Sequence, residues 1–161
     1  MHELNRLLQT LCDSEVEFVV VGGFAAMLHG SSMLTRDLDV CAVLTDASVE
    51  QLRSAFGDFH PTHRHSPQRL SFLENPRAGV PLKNLYLQTD LGPLDVLGSV
   101  SGFDDIADIR RNAVRFDLFG RAVLVMSRHD LIRSKEALGR PKDLLVAQEL
   151  RAIAEKLEKP E

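Results

Sequence analysis

Residues 18–40 read FVVVGGFAAMLHGSSMLTRDLDV. The β-branched run at Val19–Val21 predicts a short buried strand that ends at the pair Gly22-Gly23. FAAMLHG then has helical character, with Gly30 as its stop. In the following stretch, DLDVCAVL, apolar and polar residues alternate. Leu38, Val40 and Ala42 fall on one face, and Asp37, Asp39, Cys41 and Val43 on the other. Two carboxylates at i and i+2 of one strand lie roughly 6–7 Å apart along the backbone. They repel unless something neutralises them. A Mg²⁺ ion suits the task, because it favours one or two protein carboxylates completed by phosphate oxygens and water.

A third acid fits the same pattern. Asp95 stands between Leu94 and Val96 in PLDVLG, a carboxylate inside an apolar run. Its neighbour Asp90 belongs to Asp-Leu-Gly-Pro, where local turn chemistry accounts for it. Three such carboxylates could hold two ions, one activating a nucleophile and one holding a triphosphate. Glycines where a strand enters a helix let the backbone approach phosphates closely. The dinucleotide fingerprint GxGxxG is absent here, and so is the closing GK[ST] of a Walker A loop.

Outward from this stretch, the 161 residues suit a single domain, 1–161, with 44% apolar and 26% charged residues. No apolar run approaches the length of a membrane span. The opening MHELNRLLQTLCDSEVEF lacks the pattern of a secretory leader. Cys12 and Cys41 lack metal-ligand spacing. The expectation is therefore a reduced, cytoplasmic protein. Net charge is −4, yet residues 110–142 carry nine Lys/Arg against three Asp/Glu, enough to attract a polyanion or simply to solvate a helix face.

The remaining pattern predicts a helix over HELNRLLQTLCD and another over DASVEQLRSAFGDF, capped by Asp46 or Ser48. The segment 60–81 is the least regular and is expected to hold a short strand and loops, and its HPTHRH histidines read as loop rather than as a transition-metal site. Two strands flank a turn at 90–93, a short helix follows in GFDDIADI, and a hairpin turns near Phe119-Gly120. Ser127 caps a helix that breaks at Gly139-Arg140-Pro141, and a last helix follows. The expectation is an α/β fold: a mixed sheet of about five strands flanked by helices, with a helical C-terminus.

VVVGG followed after 13 residues by Asp37-Leu38-Asp39, with Leu-Asp-Val at 94–96, resembles the nucleotidyltransferase superfamily that includes DNA polymerase beta. GGFAAMLHG and LTRDLDV are similar to the small bacterial AbiEii-type and MNT-like groups. So is the C-terminal set Ser127, Leu131-Ile132, Lys135 and Arg140-Pro141-Lys142-Asp143-Leu144. The resemblance covers about residues 15–155. It departs from the pattern at Met33, where relatives often place an arginine, and at Gly23, where polymerase-type members have a serine.

The resemblance implies transfer of a nucleotide from an NTP to an acceptor hydroxyl, with Mg²⁺ or Mn²⁺ as cofactor. Asp37, Asp39 and Asp95 would be the catalytic and metal-binding carboxylates, with Asp95 holding a second ion or drawing the acceptor's proton. Gly22, Gly23, Arg36 and Lys135 would bind the nucleotide. The acceptor would be RNA, such as a tRNA end, or a partner protein, in a toxin–antitoxin or phage-defence setting. Two alternatives stay open: a silent protein of this fold that binds a partner, and a transferase acting on an aminoglycoside-type small molecule.

Overall fold

The computed structural model describes residues 3–158, so the His2 start of the first predicted helix and the extreme ends of the 1–161 domain lie outside the described residues. The chain runs α1 (Leu4–Asp13), β1 (Val19–Val21), α2 (Gly22–Leu28), β2 (Leu38–Cys41), α3 (Asp46–Phe56) and a 3₁₀ turn (Gly57–Phe59). It continues with β3 (Thr62–His63), β4 (Asn84–Thr89), β5 (Gly92–Leu97), α4 (Ile106–Asn112), β6 (Val114–Leu118), β7 (Arg121–Val125), α5 (Arg128–Leu138) and α6 (Pro141–Glu158).

All the strands join one seven-stranded mixed sheet in the order β3-β4-β5-β2-β1-β7-β6. Seven rather than about five arises at the edges. The hairpin β6–β7 does not stand apart but docks β7 parallel to β1, and β3 adds two residues against β4. The centre is β2, antiparallel to β1 and parallel to β5.

Register sets which side chains share a face. Leu38 pairs with Leu94 and Val40 with Val96, and across β4 Leu87 and Leu85 meet the same two rows. This face is fully buried, and α1 packs over it beside α3. Each such leucine contributes about 1.5–3 kcal/mol on burial. Asp39 is level with Asp95, and Asp95 with Tyr86, so these project from the opposite face. There α2 and α5 pack, with α6 against α5.

Local caps differ in detail from expectation. Thr45, not Asp46 or Ser48, caps α3: its side chain accepts from the Ser48 N–H while Ser48 Oγ accepts from the Thr45 N–H, a reciprocal capping box. Ser127 caps α5 by accepting from the Asp130 N–H at 3.1 Å. Gly139 takes the left-handed conformation that ends α5, and Pro141 opens α6. Among the described residues no helix is long and apolar enough to cross a membrane.

Candidate active site

The strand β2 begins at Leu38, so Asp37 precedes it and is exposed, while Asp39 lies inside it and is partly buried. The two carboxylates are thus one exposed ahead of the strand and one partly buried within it, rather than equivalent neighbours on a strand. Asp39 presses against the start of α2. Gly22 has φ +68°, and a side chain there would collide with Asp39 Oδ2. Glycine is required at this position both for its backbone and for the carboxylate's seat. Gly23 serves closeness of another kind: a Cβ there would lie 3.1 Å from the Thr35 side chain, which holds the loop before β2 against α2.

Asp39 is electrostatically uncompensated. Its Oδ1 is buried without a hydrogen-bond partner. Burial first, then the negative charges of Asp95 and Asp37 and a hydrogen bond with Asp95, push its pKa up to about 7, with Lys135 only partly opposing. Asp95 is compensated. Arg64 Nη2 donates to Asp95 Oδ1 at 2.5 Å, and Arg64 Nη1 donates to the Leu87 carbonyl at 2.9 Å.

A cleft of about 370 Å³ opens over Gly22, Asp39, Tyr86, Asp95 and Lys135, with Ser99, Ser101 and Arg140 along its rim. Of the residues singled out in the sequence, it gathers Gly22, Asp39, Asp95 and Lys135. Asp37, Gly23 and Arg36 are not among its lining residues, and Arg36 is exposed. Lys135 Nζ is 3.4 Å from Asp143 Oδ1 on α6, so the cleft's lysine is anchored from behind. Another cavity, of about 400 Å³, lies by Phe18, Val43 and Ser48 at the far ends of β1 and β2 and contains none of these acids.

Among the described residues no three His, Cys, Asp or Glu side chains converge closely enough to hold a metal ion by themselves. The orphaned Asp39 oxygen and the crowded charge around it nevertheless fit a divalent cation whose remaining ligands come from phosphate oxygens and water. The histidines of HPTHRH diverge. His60 meets Asp90, His63 Nε2 meets the Asn75 carbonyl, and His65 packs edge-on to Tyr86.

Two participants were not legible beforehand. Arg64 sits in the Pro/His-rich segment, where no periodicity marks it. Tyr86 reads as an ordinary alternating strand residue. The basic stretch 110–142 also changes meaning in three dimensions. Arg110 pairs with Glu17, Arg121 with Asp13, Arg111 with Asp108, Arg115 with Asp117, and Arg140 and Lys135 both with Asp143. Four of these acids lie outside the stretch, so its local excess of positive charge is largely neutralised.

No family model and no curated protein sequence matches the chain. Solved structures do. The lincosamide antibiotic adenylyltransferase LnuA, solved with lincomycin bound, superposes with TM-score 0.57 at 13% identity over 94% of this chain and 96% of its own. The fold is that of the nucleotidyltransferases. TM1012 of Thermotoga maritima, a candidate nucleotidyltransferase, matches with TM-score 0.54 at 16% identity over 95% of this chain and 91% of its own. An antigenic nucleotidyltransferase-like protein of Paracoccidioides brasiliensis matches with TM-score 0.51 at 16% identity, covering 92% of this chain and 72% of that one. Within this fold, the central strands β2 and β5 present Asp39 and Asp95 beside the β1–α2 junction.

Proposed function

We propose that the chain transfers a nucleotidyl group from an NTP to an acceptor hydroxyl, using Mg²⁺ or Mn²⁺. The observation that carries this reading is the uncompensated Asp39 carboxylate seated against Gly22 in the cleft, next to Asp95. Asp37 and Asp39 would hold the cation together with the phosphates. When bound, that cation would neutralise the carboxylates and stabilise charge building on the phosphates. Lys135, which faces the cleft, binds the triphosphate, and the backbone at Gly22 and Gly23 approaches it. Arg36, at the exposed mouth, reaches its outer end. Asp95 accepts the proton of the acceptor hydroxyl as its oxygen bonds to the α-phosphorus. The α–β phosphoanhydride bond breaks, and pyrophosphate leaves with the electron pair.

The resemblance to AbiEii-type proteins favours RNA or a partner protein as acceptor, in a toxin–antitoxin or phage-defence setting. A second reading, a small hydroxylated acceptor, has its own support. The cleft is of the size that takes small molecules, the basic stretch is largely paired off, and LnuA shares the fold over nearly its whole length.

The experiment is transfer of label from each α-³²P-NTP with Mg²⁺ or Mn²⁺ to total RNA, to protein, and to a panel of lincosamides and aminoglycosides. The expected result is metal-dependent labelling of one acceptor class, lowered roughly 10³-fold or more by Asp39→Asn, about 4 kcal/mol of barrier. Labelling unaffected by Asp39→Asn would overturn the assignment of the carboxylate.

A further inference from the structure

The three acids of the site differ in what already stands beside them. Asp37 makes no ion pair among the described residues, and Asp39 Oδ1 has no partner. Asp95 alone has a resident cation, the Arg64 guanidinium at 2.5 Å, with the two side chains only 21% and 16% exposed.

Arg64 is not a surface residue that has swung in. Its backbone N–H donates to the Tyr86 carbonyl at 2.8 Å, and its side chain is held by Leu87 and Asp95 as described above. The residues just before it pair with β4, His63 opposite Leu87. The segment that carries it is tied down further along, where Arg53 donates to the carbonyls of Phe72 and Pro76 at 2.7 and 2.5 Å. The planar fork of a guanidinium suits a carboxylate.

We propose that Arg64 is the built-in counter-ion of Asp95 and stands in for a second divalent cation, so that the cleft binds one divalent ion per nucleotide, at Asp37 and Asp39. The proposal rests on the nucleotidyl-transfer reading. A fixed cation balances the charge of Asp95 and holds its carboxylate at the cleft before any nucleotide arrives. The uncompensated pair is left as the only place where another positive charge is needed. The carboxylates then divide the work: two hold the ion with the phosphates, and the third meets the acceptor.

The test counts ions directly. The full chain is dialysed to equilibrium against saturating Mn²⁺ with each of the four α,β-methylene nucleoside triphosphates, and bound Mn²⁺ is measured per bound nucleotide. The expected count is one for the wild type, one for Arg64→Lys and two for Arg64→Gln. Two in the wild type, or one in both the wild type and Arg64→Gln, would overturn the role of Arg64 and leave the transfer reading standing. No Mn²⁺ in the wild type would overturn both. Should Arg64→Gln fail to fold, Asp95→Asn decides. Its count stays at one with Mn²⁺ affinity within about threefold of wild type, whereas a loss of tenfold or more, the scale of a lost ligand or its support, would make Asp95 a metal ligand.

Discussion

Two carboxylates feel the charge of Lys135, and the protein treats them in opposite ways. Asp143 on α6 is 2% exposed, more deeply placed than Asp39, yet it is fully served: Arg140 donates to its Oδ2 at 2.5 Å and Lys135 lies 3.4 Å from its Oδ1. Burial alone would raise its pKa, but the hydrogen bond from Arg140 and the charges of Lys135 and Arg140 outweigh burial and hold it below the usual carboxylate range. Asp39 receives no such service, and burial beside two other acids pushes it up to about 7. A carboxylate supplied with cations by its own fold is a structural joint, here fastening α6 to α5. One left without them in a cleft is, on the reading proposed above, held for a charge that comes from outside.

Removing each acid should therefore move stability in opposite directions. Asp143→Ala breaks a buried ion pair and frees the α5–α6 joint, with a predicted loss of roughly 3 kcal/mol. At this chain length that lowers Tm by about 10 °C. A calorimetric Tm within 2–3 °C of wild type would place the joint elsewhere.

Asp39→Asn is predicted to stabilise the metal-free protein by roughly 2 kcal/mol at pH 8, because it removes a buried charge that nothing balances. The pH dependence has a definite sign. Since the folded state holds the Asp39 proton up to about 7, against an ordinary value of 3.8, the stability this proton contributes is complete below about 4. It is lost as pH rises through 7. The advantage of Asp39→Asn should accordingly vanish near pH 4 and reach its full size by pH 8, measured in EDTA. An advantage independent of pH would refer the effect to packing instead.

A smaller effect is expected midway along α6. Glu149 accepts from Ser31 Oγ at 2.6 Å and from the backbone and hydroxyl of Ser32 at 3.0 and 2.6 Å, tying the loop that leads to Asp37 onto the helix. Glu149→Ala should lower Tm by less than Asp143→Ala does. It should speed amide exchange of residues 31–36 more than that of the sheet. Uniform exchange changes would contradict the tie.

The parts of this comparison were unequally legible in the sequence. The glycine pair, the spacing to Asp39 and the placement of Asp95 were readable because strand alternation and backbone crowding restrict which residues can stand there. The break at Gly139-Pro141 was readable for the same local reason. The pairing of Lys135 and Arg140 with Asp143 was present only as a string, Arg-Pro-Lys-Asp-Leu. Which of its members would face inward depended on where α6 packs. Arg64 and the neutralised basic stretch were not readable at all. Arg64, Arg110 and Arg121 are held by contacts 23 to 108 residues away in the chain, which periodicity does not encode, while the other pairs of the stretch depend on which way its side chains face. The strand count missed for a related reason: edge strands join a sheet through long-range pairing rather than through their own pattern.

The central claim is that Asp39 waits for a cation that arrives with a nucleotide. Its most direct test is the thermal midpoint of wild type and Asp39→Asn at pH 8, with and without each NTP plus Mg²⁺. Ligand at 100 times its Kd should add about 2.7 kcal/mol to the wild type. That shift should require both metal and nucleotide and be absent from Asp39→Asn. The same shift in both proteins, or none in the wild type with any NTP, would contradict the account.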